Sequence, residues 1–264
     1  MRARWLLNLL LLLVVAVLAT LAYLRPGLDE AASAKTLSQL SPEQVQRVQI
    51  ERLERDTITM VRSANGWQLT TPVNLPANSF RIDSLLQLRR AVAHSSFPVV
   101  EVALPQYGLS PPEVWLSLDD ERYAFGGIEP LNGYRYVMVG GAVHLLSDRI
   151  QNYLLMSPYD FVSLQLLPRE GSLQEVRFDS HIVNDELALS AWGEAQARRV
   201  SPYSEPVNDA QQLLFILADG EPLKADILLR EPEFVLGVAG RGVRYHFTEE
   251  TGERLMQLMA GDDA

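Results

Sequence analysis

The stretch "GWQLTTPVNLPANSFRIDSLLQL", residues 66–88, shows how this chain passes from sheet to helix. It opens with an apolar–polar alternation around Trp67, which is typical of a strand with one buried face. Pro72 then interrupts the strand ladder, because proline has no backbone N–H to donate. Asn78 or Ser79 can cap a helix. The apolar face of that helix comprises Ile82, Leu85 and Leu86.

The same order of features occurs again in the second half of the chain. An apolar strand at Val176–Phe178 repeats one at Val48–Ile50, and a second strand over Leu187–Ala191 leads to Trp192. The residues that complete the second copy are the breaks Pro202 and Pro206, the caps Asn208 or Asp209, and the helix face Leu213, Leu214 and Leu217. The sequence therefore predicts an internal duplication, in which the two tryptophans are equivalent packing anchors.

A membrane anchor is predicted at the N-terminus. The chain has no charged residue from Trp5 to Leu24, and a helix of this length spans about 30 Å, the thickness of the hydrocarbon layer. Arg2 and Arg4 favour a cytoplasmic N-terminus. We therefore expect a single-pass protein of the bacterial inner membrane with its C-terminal bulk in the periplasm. A signal peptide cleaved near Ala34 and a eukaryotic type II membrane protein are the alternatives.

The whole sequence predicts an α+β fold. An N-terminal transmembrane helix is followed by two related modules, each an antiparallel sheet packed with a helix. The expected organisation is an anchor over residues 1–27, a linker over 28–42, a first module over 43–170 and a second module over 171–264. The strands "KADILLR", "EFVLGVAG" and "VRYHF" belong to the second module, and a helix capped by Thr248 closes it.

Composition excludes several classes of function. The 264 residues carry a formal net charge of −10, which repels a phosphate backbone, so nucleic acid is not an expected partner. The sequence has no cysteine. This excludes disulfides, thiolate-ligated metals and a thiol nucleophile.

Motifs for catalysis or metal binding are missing from the sequence. There is no nucleophile elbow and no Ser-x-x-Lys pair. The glycines at 237, 240 and 242 lie between two predicted strands, which indicates a hairpin and not a phosphate loop. Asp160 is expected to cap a local helix. The four histidines share no metal-ligand spacing; they are His94, His144, His181 and His246. We therefore expect no cofactor and no metal ion.

Several short motifs follow one another in a distinctive order. They are Trp67 and Pro72 in "GWQL..P", the "PAN" before the first helix, Tyr107, Gly108 and Leu109 in "YGL.PP", and "YVMV" from Tyr136. With these motifs the chain resembles the family catalogued as domain of unknown function 4340, over about residues 45 to 260. The resemblance implies an extracytoplasmic, membrane-anchored protein associated with ABC-type transport systems. It implies no catalytic residues, because none is established for the family.

Three functions are compatible with these features. The leading hypothesis is a non-enzymatic accessory or scaffold subunit of an ABC-type transport or cell-envelope complex, held at the inner membrane beside a membrane-protein partner. The second is a periplasmic module that binds a lipid, glycan or peptide in a groove between the two modules. The third is a hydrolase with an unrecognised pair of carboxylates.

Overall fold

The computed structural model describes residues 10–20, 37, 41–167, 173–204, 210–218 and 222–260. Residues 10–20 form helix α1, whose side chains are exposed. No helix in these ranges is both long enough and apolar enough to cross a bilayer. Trp5 and Leu24, which bound the predicted span, lie outside the described residues, so the anchor stays a prediction.

The first sheet has nine antiparallel strands in the order β4-β3-β2-β1-β6-β7-β8-β9-β5. Its strands are β1 Arg47–Arg52, β2 Arg55–Ser63, β3 Gly66–Thr71, β4 Leu75–Pro76, β5 Ser95–Pro98, β6 Val114–Leu118, β7 Glu121–Ile128, β8 Arg135–Val139 and β9 Ala142–Leu146. Two α-helices accompany it, α2 Ser79–Leu86 and α3 Gln151–Leu154. As predicted, the Asn78 side chain caps α2 by accepting a hydrogen bond from the backbone N–H of Arg81.

The second sheet has seven antiparallel strands in the order β11-β10-β13-β14-β15-β16-β12. Its strands are β10 Leu173–Phe178, β11 His181–Val183, β12 Arg199–Pro202, β13 Gln212–Leu217, β14 Leu223–Leu229, β15 Glu233–Val238 and β16 Val243–Thr248. Its helices are α4 Glu186–Glu194 and α5 Glu249–Ala260. The predicted late strands and the closing helix are confirmed.

The two sheets share one topology. Each begins with a hairpin, β1–β2 or β10–β11, and continues through a helix to a strand at the far edge, β5 or β12. A four-stranded meander then returns from the first hairpin to that edge strand, and a helix follows. The first sheet differs by one addition, the short pair β3–β4 outside β2. This match agrees with two related modules, although several residue correspondences expected from the sequence are wrong.

The first wrong correspondence concerns Trp192. The sequence predicts a strand over Leu187–Ala191, but this segment belongs to helix α4. The carboxylate of Asp185 accepts a hydrogen bond from the backbone N–H of Ala188 at 3.0 Å, and so caps the helix. Ala188 and Trp192, one turn apart, are both fully buried. Trp192 therefore lies on a helix, whereas Trp67 lies on strand β3.

The second wrong correspondence concerns the segment after the prolines. A helix was predicted with Leu213, Leu214 and Leu217 on one face, but the segment is strand β13. Leu213 and Phe215 are fully buried while the residues next to them are not, which is the period of a strand. The predicted caps Asn208 and Asp209 lie outside the described residues. In the shared topology β13 corresponds to β6, and α4 corresponds to α2.

The described residues form one large apolar core and one small one. The large core lies between the helices and one face of both sheets, and its largest members include Trp192, Tyr123 and Phe125. The small core lies on the opposite face of the first sheet, around Leu109 and Val143. A 3-10 helix, Glu101–Tyr107, and the turn that follows it contribute to the small core.

Candidate functional site

An extended connector, residues 162–167, joins the two sheets. Val162 forms an antiparallel bridge with Ala77, next to the edge strand β4, and Gln165 forms one with Gln196, just before the edge strand β12. Backbone hydrogen bonds accompany both bridges, including one of 2.9 Å from the Ala197 N–H to the Leu164 carbonyl. The modules are therefore two separate sheets whose neighbouring edges are bridged by the connector.

A cleft of about 390 Å³ lies where the connector and the two modules meet. The first module contributes Trp67, Asn78 and Ser79, and the second contributes Gln196 and Arg241. Asn65, Pro76 and Ala77 of the first module and residues 163–167 of the connector complete the lining. A groove between the modules is the place where the sequence-based binding hypothesis expected a ligand.

The polar groups of this cleft are suited to binding. Arg241 is the only charged residue among the described residues that line it, in a chain whose net charge is −10. Its Nη1 donates a hydrogen bond of 2.7 Å to the Leu166 carbonyl, and its side chain also bonds to Tyr245. A guanidinium has five N–H donors, so this half-buried side chain keeps further donors for a ligand. The described lining contains no pair of acids that could act as a general acid and base. Amides, hydroxyls and one cation favour a polar or anionic ligand.

Trp67 forms part of the cleft wall but is mostly covered. Its side chain is 5% exposed, and the Arg62 guanidinium lies 4.8 Å from the ring centroid. A ring covered in this way gives little flat surface to a sugar or a base. Pro72 is exposed in the turn between β3 and β4 and does not line the cleft.

Trp192 is fully buried on α4 and lies away from the cleft lining. Its ring meets that of Phe215 edge-to-face, with 5.1 Å between the centroids. The indole Nε1 has no hydrogen-bond partner in the described structure. This tryptophan packs helix α4 onto the second sheet.

Tyr107, Gly108 and Leu109 also have a structural position. Gly108 ends the 3-10 helix with φ of +66°, a left-handed conformation that glycine adopts without strain. This turn directs the Leu109 side chain into the small core, where it is 3% exposed. None of the three residues lines the cleft.

The acidic residue and histidines that were candidates for catalysis or metal binding lie apart from one another in the structure. The Asp160 carboxylate accepts a hydrogen bond of 2.9 Å from the Ser157 N–H, which is the capping role expected of it. His94 stacks on Tyr134, and burial lowers the pKa of His144. In the described ranges no three His, Asp or Glu side chains are grouped so that they could hold a metal ion.

Sequence reasoning missed the residues that bring the second module into the cleft. Gln196 and Arg241 are far apart in sequence and belong to no local motif. They meet because the β12–β16 pairing carries Gln196 toward the connector and the turn before β16 carries Arg241 there. The nearest local signal was the glycine pair around Arg241, which was interpreted only as a hairpin.

The fold and the cleft define an α+β protein built from two topologically alike antiparallel sheets, with a polar cleft beside their connector. The chain belongs to the family described as Domain of unknown function (DUF4340), whose family model matches residues 67–213, more than half of the chain. The matched region includes Trp67, the connector and Gln196, but not Arg241. No curated protein and no solved structure matches the chain.

Proposed function

We propose that this protein is a membrane-anchored, extracytoplasmic accessory subunit that binds a partner protein in the cleft between its two modules. The observation that carries the proposal is the convergence of both sheets and the connector on one polar cleft of about 390 Å³. The expected partner class, an ABC-type transport or cell-envelope complex, comes from the family resemblance. Binding in the cleft requires no turnover.

The anchor in this proposal is supported by helix α1. Its apolar side chains are exposed, and Leu12 is 71% exposed. An apolar helix that leaves its side chains exposed in the described part of the chain is suited to lipid. A membrane anchor also raises the effective concentration of neighbouring membrane proteins, so a small contact is sufficient for binding.

The chemistry of the cleft favours a polypeptide as its occupant. A lipid chain needs an accessible apolar lining, whereas the apolar residues Trp67, Leu166 and Leu167 of this cleft are buried. Its amides, its hydroxyls and Arg241 are the groups that suit a polar ligand. A glycan needs an exposed aromatic platform, whereas Trp67 is 5% exposed. An extended segment supplies backbone groups for the amides, and an aspartate, a glutamate or a C-terminal carboxylate pairs with the guanidinium.

The binding test uses the full-length protein in native membranes with chemical crosslinking. Arg241→Glu reverses the charge of the cleft, and Gln196→Trp fills it from an exposed position. Both variants are expected to reduce recovery of the crosslinked partner by about tenfold or more, the change produced by 1.4 kcal/mol. Arg230→Glu is the matched control, because Arg230 is an exposed arginine that does not line the cleft.

Thermal unfolding of each variant separates loss of binding from loss of structure. A partner recovered equally well with all three variants would place the contact elsewhere on the molecule. Topology is tested separately with alkaline phosphatase fused after Ala264. An active fusion is expected, and an inactive one, with activity from a cytoplasmic reporter at the same site, would exclude the proposed orientation.

A further inference from the structure

A line of hydrogen bonds crosses three neighbouring strands of the second sheet. Ser201 Oγ on β12 lies 2.7 Å from His246 Nε2 on β16, and His246 Nδ1 lies 3.0 Å from Glu233 Oε1 on β15. Tyr245 and Phe247, which flank His246, point into the large core. The three polar side chains therefore lie on the opposite face of the sheet, and none of them lines the cleft.

The direction of each hydrogen bond follows from the groups involved. The hydrogen bond from His246 is the main cause that lowers the pKa of Glu233, so this carboxylate is ionised and accepts. His246 Nδ1 therefore carries a proton, and in the neutral ring Nε2 accepts from the Ser201 hydroxyl. Arg244 Nε in turn donates to Ser201 Oγ at 3.0 Å. The serine oxygen is thus placed between a base and a cation.

Burial keeps the histidine neutral. The His246 side chain is 5% exposed, and this burial is the largest cause that lowers its pKa, against the raising effect of the Glu233 carboxylate. The other charges that face the ring are Arg199 and Arg244, and both also lower the pKa. Arg199 is paired with Glu233 at 2.9 Å. Ser201 is half-buried, whereas the His246 ring beside it is almost completely covered.

We propose that Ser201 is a nucleophile that attacks carboxylic esters. His246 is the general base, Arg244 stabilises the oxyanion, and Glu233 is a positioning residue that holds the imidazole tautomer. Acyl transfer by a serine uses a nucleophile that is hydrogen-bonded to a base and a base that is hydrogen-bonded to an orienting carboxylate. It also uses a group that stabilises the negative charge on the attacked carbonyl. This inference goes beyond the proposed function and does not depend on it.

The reaction balances with water as the only co-reactant. Ser201 Oγ forms a bond to the carbonyl carbon as its proton passes to His246 Nε2. The ester C–O bond then breaks, and the alcohol leaves with that proton. Water attacks the acyl-serine and gives one proton to His246; the carboxylic acid departs as the proton returns to Ser201.

The first sheet contains a matched control for this site. Ser96 Oγ lies 2.8 Å from His144 Nδ1, between strands β5 and β9, which correspond to β12 and β16. In the described structure His144 is hydrogen-bonded to no carboxylate and Ser96 to no arginine. Ser96 therefore has a histidine neighbour without the rest of the arrangement.

The test labels the full-length protein in membranes with a biotinylated fluorophosphonate and maps the labelled peptide. Oγ bonds to phosphorus, fluoride leaves, and the hydroxyl proton passes to His246. We expect the label on Ser201, none in Ser201→Ala, and labelling slowed by at least about 100-fold in His246→Asn. Ser96→Ala should label like the wild type. Hydrolysis of p-nitrophenyl acetate by the purified full-length chain should follow the same order.

The pH profile distinguishes a reactive serine from a structural one. Labelling should rise with pH as His246 loses its proton. Glu233→Gln removes a group that raises the pKa of His246, so the profile should begin at lower pH while the rate at its plateau falls. Wild-type protein that is not labelled would overturn the proposal, as would labelling that persists in Ser201→Ala. Neither result affects the crosslinking test of the cleft.

Discussion

The backbone carbonyl of Tyr107 lies directly over Gly126 of strand β7. A Cβ atom at position 126 would meet that oxygen inside any normal contact distance, and it would lie 2.9 Å from Leu109 Cγ. Only a residue without a side chain lets the turn at Gly108 rest on the strand. The "YGL" motif of the sequence and Gly126 of strand β7 are therefore the two halves of one contact.

Replacement of Gly126 by alanine should destabilise the protein. We expect Gly126→Ala to lower the free energy of unfolding by about 1–3 kcal/mol, because the backbone of the Tyr107 turn must move. Gly127→Ala is the control, since a Cβ atom there would lie 3.6 Å from the same carbonyl, an ordinary contact. Urea unfolding of the full-length chain measures both. Equal losses would show that the Tyr107 contact is not the cause.

The stability of the protein should depend more on the packed ring of Trp192 than on its indole N–H group. Trp192→Ala removes a fully buried ring that packs on Phe215 and should cost about 3–5 kcal/mol. Trp192→Phe also removes the buried Nε1, which has no partner in the described structure. Relief of that unsatisfied group offsets part of the lost packing, so the phenylalanine variant should lose clearly less. Equal losses would mean that the indole N–H is satisfied in solution.

Local sequence patterns predict an element correctly where the spacing of apolar residues, the capping residue and the turn residues all indicate the same secondary structure. In the first module the alternation around Trp67, the break at Pro72 and the cap at Asn78 all indicate the same structure. In the second module they do not. Leu187, Leu189 and Ala191 alternate like a strand, yet the Asp185 cap and the burial of the ring of Trp192 make a helix. The local sequence is compatible with either a strand or a helix here, and tertiary packing selects the helix.

Both candidate sites depend on pairings that span long stretches of chain. Arg241 lies in the turn between β15 and β16. This turn is far along the sequence from the connector, which Arg241 nevertheless contacts in the fold. Ser201, Glu233 and His246 meet only because β15, β16 and β12 are neighbours in the sheet. Strand order and register are properties of the whole fold, so a search for short motifs could not have found either group.

A buried ion pair beside Gly126 gives a further test of the first sheet. Arg135 Nε and Nη2 lie 2.6 and 3.2 Å from the two carboxylate oxygens of Asp148, and Arg135 Nη1 donates to the Gly126 carbonyl. Asp148→Ala leaves a guanidinium that is 7% exposed, with the exposed Glu113 carboxylate 3.9 Å from Nη1 as its remaining acidic partner. We expect the free energy of unfolding to fall by about 3 kcal/mol. This is the lower end of the range for buried ion pairs, because the Asp148 side chain is 27% exposed.

The control for this pair replaces both partners. Arg135→Met with Asp148→Ala removes the buried charge as well, so the double variant should be more stable than Asp148→Ala alone. Urea unfolding at fixed pH measures the three proteins. A double variant less stable than the single one would show that the arginine stem, and not its charge, holds this corner of the sheet.

Stability should fall as the medium becomes mildly acidic. Burial lowers the pKa of both His144 and His246 below the ordinary value of 6.5. Between that value and the folded-state pKa, the unfolded chain binds more protons than the folded one, so the free energy of unfolding decreases as pH falls below about 6.5. Glu233, whose pKa is lowered from 4.5, stays ionised in both states above about pH 5.5 and leaves this slope unchanged. Urea unfolding between pH 5.5 and 7.5 measures the slope, and His144→Asn and His246→Asn should each make it shallower. A wild-type stability that is constant or rises on acidification over this range would contradict the neutral state of both rings.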